Sequence, residues 1–168
     1  MKYILETERL KLREFTLNDT MFIIELLNTP GWLHFIGDRN VKTEEQAKAY
    51  LENGLMKSYI EKGFGLYLVE KKDDNIPIGM CGMIKRDDLE NPDIGFAFLP
   101  EFNGKGYAYE IAAATLAYAT HTLKISKIAA ITLAENERSV RLLEKLGLKF
   151  SKVINYGKNK EQLKLYSN

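Results

Sequence analysis

The sequence has little of what several classes of protein depend on. Its 168 residues include one cysteine, Cys81, so no internal disulfide can form, and a reducing compartment, the cytoplasm, is expected. The two histidines lie far apart and far from that cysteine, which argues against a dedicated zinc site, and no metal is expected. Lys and Arg number 24 against 23 Asp and Glu, so no basic excess indicates a nucleic-acid partner. No stretch approaches the roughly 18 consecutive apolar residues of a membrane helix, so no membrane association is expected.

What remains is the composition of an ordinary globular protein. Hydrophobic residues make up 45% of the chain and charged residues 28%. A chain of this length suits one domain, and residues 1–168 contain no internal repeat, low-complexity run or linker that would divide it. We therefore expect a single domain that spans the whole chain.

Hydrophobic periodicity predicts strands through the middle of the chain, with helices between them. The predicted strands cover residues 9–13, 64–70, 78–85, 93–99, 127–133, 150–156 and 162–166. The predicted helices cover residues 18–27, 44–61, 107–122 and 139–146, and the segment that contains Pro30, Gly31 and Gly37 is predicted to be a loop. This succession indicates an α+β fold around a mixed central sheet.

One loop has the residues to hold a phosphate group. It lies between the predicted strand 93–99 and the long helix that follows, and it consists of Asn103, Gly104, Lys105, Gly106, Tyr107 and Ala108. Glycines let the backbone approach a ligand closely, and the helix N-terminus offers unpaired N–H groups with a partial positive charge. Lys105 adds a cation. The pattern indicates a pyrophosphate site, although two glycines in this spacing also suit a plain tight turn.

The same loop does not fit the two commonest nucleotide motifs. A Walker loop requires Gly-x-x-x-x-Gly-Lys-Ser/Thr, and the chain contains no such string. A Rossmann fingerprint requires Gly or Ala where Tyr109 stands and an acidic residue about 20 positions further on, and neither condition is met. ATP and NAD are therefore disfavoured as ligands.

Three segments together resemble one family of enzymes. They are residues 7–13 (TERLKLR), 93–108 (DIGFAFLPEFNGKGYA) and 136–147 (NERSVRLLEKLG). In this order and spacing they are similar to the GNAT superfamily of acetyl-CoA-dependent N-acetyltransferases. The resemblance is to the branch that includes the bacterial ribosomal-protein N-terminal acetyltransferases. The family loop starts with Gln or Arg where this chain has Asn103, a departure that matters little if backbone N–H groups hold the phosphates.

The resemblance implies both a fold and a reaction. The fold is a mixed sheet with helices on both faces, in which strands 93–99 and 127–133 splay apart around the pantetheine arm of the coenzyme. The reaction is acetyl transfer from acetyl-CoA to a primary amine by direct attack in a ternary complex. No acyl-enzyme is expected, because Cys81 lies between apolar neighbours with no His placed beside it and is interpreted as a core residue.

The resemblance also assigns residues to the coenzyme. The backbones of Phe98 and Leu99 are expected to bind pantetheine, with a backbone N–H there polarising the thioester carbonyl. Asn136 is expected to hydrogen-bond the pantetheine, and Lys145 to meet the phosphates. Each assignment has a structural alternative, which is core packing for the Phe98 side chain, a helix N-cap for Asn136 and a solvated helix face for Lys145.

Two residues are candidates for the proton transfers. Some relatives carry a Tyr acid seven residues after the Asn, but here that position is Leu143, so Ser139 or a water that it holds is assigned to protonate the leaving thiolate. Asp93 stands where many relatives place Glu and is the candidate base acting through water, its alternative being a strand-end charge in solvent. Glu110 is explained by the helix dipole.

The acceptor is the least specified part of the prediction. The segment Trp32–Val41 and the helix from Glu44 are expected to shape its pocket. The candidate residues are Trp32, His34 and Phe35, although a lone loop histidine is more often simply exposed. A protein N-terminal α-amine and a small-molecule amine both remain open, as does a homodimer. The alternative function, from a different class, is a non-catalytic sensor that binds acetyl-CoA without turnover.

Overall fold

A computed structural model describes all 168 residues and shows one eight-stranded mixed sheet, in the order β1-β2-β3-β4-β5-β6-β8-β7. The strands are β1 (Tyr3–Glu6), β2 (Leu10–Arg13), β3 (Leu66–Lys71), β4 (Pro77–Ile84), β5 (Asp93–Phe98), β6 (Ala129–Thr132), β7 (Lys149–Tyr156) and β8 (Glu161–Ser167). The helices are α1 (Thr20–Leu27), α2 (Pro30–Phe35), α3 (Glu44–Tyr50), α4 (Met56–Lys62), α5 (Tyr107–His121) and α6 (Glu137–Lys145). Every neighbouring pair of strands is antiparallel except β5 and β6, which are parallel.

Helices cover both faces of the sheet, as predicted. Successive side chains of β3 point to opposite faces, so Tyr67 and Val69 pack with residues of α5 and α6, whereas Leu68 packs with residues of α1, α2 and α3. The α+β fold predicted from the sequence is confirmed. The longest helix has 15 residues, and no helix combines the length and the apolar composition that crossing a bilayer requires.

The predicted loop at residues 30–37 is wrong in part, because its first half is α2. Thr29 caps this helix by accepting a hydrogen bond from the backbone N–H of Trp32 (3.3 Å). Pro30 occupies the first helical position, where its missing N–H costs nothing. The glycine and proline that suggested a loop therefore begin a short helix. The first strand, β1, was not predicted, because four residues with little alternation give a weak signal.

The helix predicted over residues 44–61 is present, and it begins at a capping box formed by Thr43 and Gln46. The Thr43 side chain accepts from the backbone of Gln46, whose side chain in turn accepts from the backbone of Thr43. The helix continues to Lys62 through one π-helical turn at Leu51–Leu55, which separates α3 from α4. Gly63 ends it in the left-handed region with φ +79°.

Strands β5 and β6 meet at one position and then separate. Asp93 is registered with Ala129, whose N–H donates to the Pro92 carbonyl at 2.8 Å. No later residue of β5 pairs with β6, although both strands continue for several residues. The splay that the family resemblance implied is confirmed, and it opens the centre of the sheet.

Candidate active site

A cavity of about 490 Å³ lies where β5 and β6 separate. One wall is the strand pair itself, from Asp93–Ala97 on β5 to Ala130–Leu133 on and beyond β6. The opposite walls come from α2 and the segment after it, and from the hairpin that joins β7 to β8. The cavity therefore lies beside the open backbone edge of β5.

The backbone of Phe98, but not that of Leu99, faces the separated side of the sheet. The N–H of Leu99 donates to the Ile78 carbonyl (2.9 Å), and the carbonyl of Leu99 accepts from Phe102 (3.0 Å). Adjacent strand residues direct their backbone groups to opposite edges, so the groups of Phe96 and Phe98 point toward the edge that β6 has left. The expectation that the backbone of Leu99 binds pantetheine is therefore corrected, because both of its polar groups already have partners.

The side chain of Phe98 follows the structural alternative. It packs against Gly79, where an added Cβ would lie 2.6 Å from the ring. The Phe98 side chain therefore packs in the protein while its backbone groups face the cavity side of the strand.

The predicted phosphate loop begins α5 with uncapped N–H groups. Gly106 occupies the N-cap with φ +81° and offers no side chain, and Gly104 also has a positive φ of +75°. The first helical bond runs from Glu110 N–H to the Gly106 carbonyl (3.1 Å), so the N–H groups of residues 107–109 precede it. These groups form the cradle that an anion at a helix N-terminus requires.

The loop is fixed from behind by Arg9, which the sequence argument did not identify. Arg9 donates through Nε to Glu110 Oε2 (2.7 Å) and through Nη1 to the Lys105 carbonyl (3.0 Å), and its guanidinium lies 4.4 Å from the centre of the Tyr107 ring. Thr7 Oγ1 donates to Glu110 Oε1 at 2.6 Å. Burial works against the charged form, but hydrogen bonds from Thr7 and Arg9 hold the pKa of Glu110 below its ordinary value. Glu110 is therefore a structural clamp rather than only a residue that suits the helix dipole.

Two lysines lie on aromatic rings beside the loop. Lys105 Nζ is 5.7 Å from the centre of the Phe102 ring, and Lys145 Nζ is 4.2 Å from the centre of the Tyr109 ring. Since Tyr109 belongs to the first turn of α5, Lys145 stands over the helix that begins at the loop. Both cations are near the place where the sequence predicts phosphates.

Asn136 is an N-cap, and it also lines the cavity. Its Oδ1 accepts from the backbone N–H of Ser139 (3.3 Å), which leaves its Nδ2 without a partner in α6. The Ser139 hydroxyl makes no hydrogen bond within the protein and lies among the cavity residues. Leu143, where some relatives carry Tyr, is buried in the core and lines the same cavity.

Asp93 is not a strand-end charge in solvent. It is 1% exposed, and its Oδ1 accepts from Arg86 Nε at 2.9 Å. Burial raises the pKa of Asp93 above its ordinary value, and the Arg86 guanidinium offsets part of that rise. Arg86 Nη1 also reaches the hydroxyl of Tyr156 (3.4 Å) on the far hairpin, so this pair links two walls of the cavity.

The three residues predicted for the acceptor pocket do not stay together. Trp32 and Phe35 line the cavity, but His34 does not, and its Nε2 lies 3.5 Å from Glu135 Oε1 on an exposed surface. Arg39 and Tyr50 lie in the two segments that were expected to shape the pocket, and both contribute to the same wall, although neither was singled out as a candidate. Their positions depend on how α2 and α3 pack, and no local motif marks them.

Cys81 is buried and chemically quiet. Burial raises its pKa to about 12, although a contact of 3.4 Å with Thr115 Oγ1 opposes that rise. Since the thiolate is the nucleophile, a thiol with this pKa is almost entirely protonated at neutral pH. The structure agrees with a core role for Cys81.

Replacing Gly106 by Val should weaken acetyl-CoA binding. A β-branched residue is strained at φ +81°, and its Cβ would lie 3.3 Å from Nη2 of Arg9, which fixes the loop, so the N–H groups of the loop would be displaced. The Kd measured by calorimetry should therefore rise tenfold or more, about 1.4 kcal/mol. Gly63→Val is the matched control, because φ there is +79° and the strain is similar, but Gly63 ends α4. Both variants should melt earlier, and only Gly106→Val should lose affinity. An unchanged Kd in folded Gly106→Val would contradict the role of the loop.

Comparisons with known proteins agree with this geometry. A crystal structure of a GNAT-family acetyltransferase from Bacillus anthracis has a TM-score of 0.80 and 26% identity, and the match covers 99% of this chain and 97% of that one. The structure of RimL, a ribosomal L7/L12 α-N-protein acetyltransferase solved with coenzyme A, shares the fold (TM-score 0.83, 14% identity, 99% and 97% covered). A Bacillus subtilis protein described as the uncharacterized N-acetyltransferase YoaA is 30% identical over 145 residues, which are 86% of this chain and 81% of the relative. The family model described as the acetyltransferase (GNAT) domain matches residues 9–149, and the chain therefore belongs to the GNAT family of acetyltransferases.

Proposed function

We propose that this enzyme transfers the acetyl group of acetyl-CoA to a primary amine by direct attack in a ternary complex. The observation that carries the proposal is the single bridge between β5 and β6. Beyond this bridge, the backbone edge of β5 is open and borders the cavity that contains Ser139 and Asp93. The chain then continues from β5 into the glycine loop. Acetyl-CoA supplies an acetyl group already activated as a thioester.

In this proposal the chain holds the coenzyme mainly through its backbone. The N–H groups at the start of α5 bind the pyrophosphate, in the loop formed by Asn103, Gly104, Lys105, Gly106, Tyr107 and Ala108. Lys105 and Lys145 contribute positive charge. The open backbone groups of Phe98 and the Nδ2 of Asn136 bind the pantetheine arm, and one N–H of β5 polarises the thioester carbonyl.

Two side chains manage the protons. The reaction forms an amide N–C bond and breaks a C–S bond, so the amine loses a proton and the departing thiolate gains one. Asp93 takes the first proton through water, since its raised pKa makes its carboxylate a stronger base than an ordinary aspartate. Ser139, whose hydroxyl is not engaged by the protein, donates a hydrogen bond to the developing thiolate.

For the acceptor we propose either a protein N-terminal α-amine or a small-molecule amine. RimL is named for a protein α-amine, and its likeness to this chain supports the fold alone. We further propose that the enzyme works in the cytoplasm. A homodimer is a state to be tested by light scattering. Since Leu143 replaces the Tyr acid of some relatives, a coenzyme sensor without turnover is the competing function.

Release of free coenzyme A should separate these two functions. The purified protein is mixed with acetyl-CoA and a panel of amino acids, peptides with free N-termini and polyamines, and thiol release is followed against a control without acceptor. We expect release that depends on at least one amine, with the acetylated amine found by mass spectrometry. Tight binding of acetyl-CoA by calorimetry with no amine-dependent release would favour the sensor.

Asp93→Asn should lower kcat on the order of a hundredfold at pH 7, since an amide cannot take up the proton. The loss should shrink as the pH approaches the pKa of the acceptor amine, because free amine no longer needs a base. Arg86→Gln removes the charge that stabilises the Asp93 carboxylate, so the pKa of Asp93 should rise and the acid limb of kcat/KM should move to higher pH. Equal losses at every pH in both variants would indicate a purely structural pair.

Ser139→Ala should lower kcat on the order of ten- to a thousandfold and leave the KM for acetyl-CoA almost unchanged. The N-cap is retained, because Asn136 accepts from the backbone N–H of residue 139 and not from the hydroxyl, so the melting temperature should stay the same. Arg138 precedes Ser139 and is exposed, so Arg138→Ala is the control and should keep full activity. A normal kcat in Ser139→Ala would remove Ser139 from the mechanism.

A further inference from the structure

The acceptor side of the cavity has more unpaired positive charge than negative charge. Five charged residues line the cavity, and two of them, Arg86 and Asp93, neutralise each other at 2.9 Å. The remaining three are Arg39, Lys158 and Glu161. Positive charge in a cleft with apolar walls raises the local concentration of anions and repels cations.

Arg39, like Lys158, has no anionic partner of its own. It is exposed, it lines the cavity, and it forms no salt bridge with any carboxylate of the chain. It lies near Tyr50, since burial raises the pKa of the Tyr50 phenol and the charge of Arg39 opposes that rise. A guanidinium is built to bind a carboxylate through two parallel N–H groups.

We propose that the acceptor is a primary amine that carries a carboxylate, and that Arg39 binds this carboxylate. The inference deepens the proposed function and rests on it. The amine is then directed toward Asp93, whose carboxylate is already paired with Arg86 and is not free to bind a second cation tightly. A polyamine, which offers only cations, finds Glu161 as the single unpaired carboxylate of the cavity. Carboxylate-bearing amines come from free amino acids or from peptides with an acidic residue near the N-terminus.

Matched acceptors with and without the carboxylate test the proposal. L-amino acids, their C-terminal amides, short peptides with Asp or Glu at the second position, and spermidine are compared by coenzyme A release. Each acid has a counterpart without that carboxylate, which is the amide for an amino acid and the Asn or Gln peptide for an acidic peptide. For whichever acid is the better substrate, we expect kcat/KM to exceed that of its counterpart, and that of spermidine, by roughly tenfold or more. The comparison of free amino acids with acidic peptides identifies the source.

Arg39→Gln provides the decisive variant. It should raise the KM for the carboxylate acceptor roughly tenfold while leaving the uncharged counterpart within about twofold and the KM for acetyl-CoA unchanged. Lys48→Gln, which removes an exposed cation of α3 outside the cavity, is the control for net charge and should behave like the native enzyme.

The outcomes separate this inference from the proposed function. Turnover that is equal for acid and amide, fastest with spermidine, or equally reduced by Arg39→Gln for both acceptors overturns the inference and leaves the acetyltransferase intact. If no amine is acetylated, binding of the same acids and amides is measured by calorimetry with coenzyme A present. Preference for the acid that is lost in Arg39→Gln would still support the carboxylate site, and no preference would overturn it.

Discussion

The structure depends on one interruption of backbone pairing. In the interior of a sheet each strand normally satisfies its N–H and C=O groups through both neighbours, and leaving such groups without partners away from water is costly. Here β5 keeps β4 along its whole length but loses β6 after Asp93. The polar edge that results borders the cavity instead of a neighbouring strand. The cavity, the glycine loop and α6 are all arranged around that edge.

Strand β2 has an arginine at each end that connects it to other parts of the fold. At one end, Arg9 just before the strand holds Glu110 and the Lys105 carbonyl, and so fixes the loop at the start of α5. At the other end, the buried Arg13 binds Asp19 through two N–H groups at 2.9 Å each and Glu70 through Nε at 3.0 Å. Buried charges are tolerated when they are paired in this complete way. One short strand thereby connects the glycine loop to the start of α1 and to β3.

The parts of the molecule that sequence reasoning predicted are those written in local patterns. All seven strands and all four helices predicted from the sequence lie within a few residues of their observed bounds, and the two-glycine loop lies at the start of α5. The contacts that define the site are not local. Arg9 and Glu110 are 101 residues apart, and the Arg86–Tyr156 contact spans 70. No window of the chain contains both members of either pair.

The sequence located the segment that contains Phe98 and Leu99, but it did not show which of the two backbones faces the cavity. Backbone groups of successive residues point to opposite edges of a strand, and the register of β5 against β4 decides which residues point toward β6. This register cannot be obtained from residue types alone. One hydrogen bond, from Leu99 to Ile78, settles which of the two neighbours faces the cleft. The same limit applies to Arg39, whose place in the wall follows from the packing of α2 and α3.

The burial of Cys81 makes this protein well suited to single-site labelling. A maleimide or iodoacetamide probe reacts with thiolates that it can reach, and the one native thiol is neither exposed nor ionised at neutral pH. A cysteine introduced on the rim of the cavity would therefore be the only position to take up a fluorophore or spin label. Motions of α2 relative to the β7–β8 hairpin then become measurable in the native background, without first preparing a cysteine-free variant.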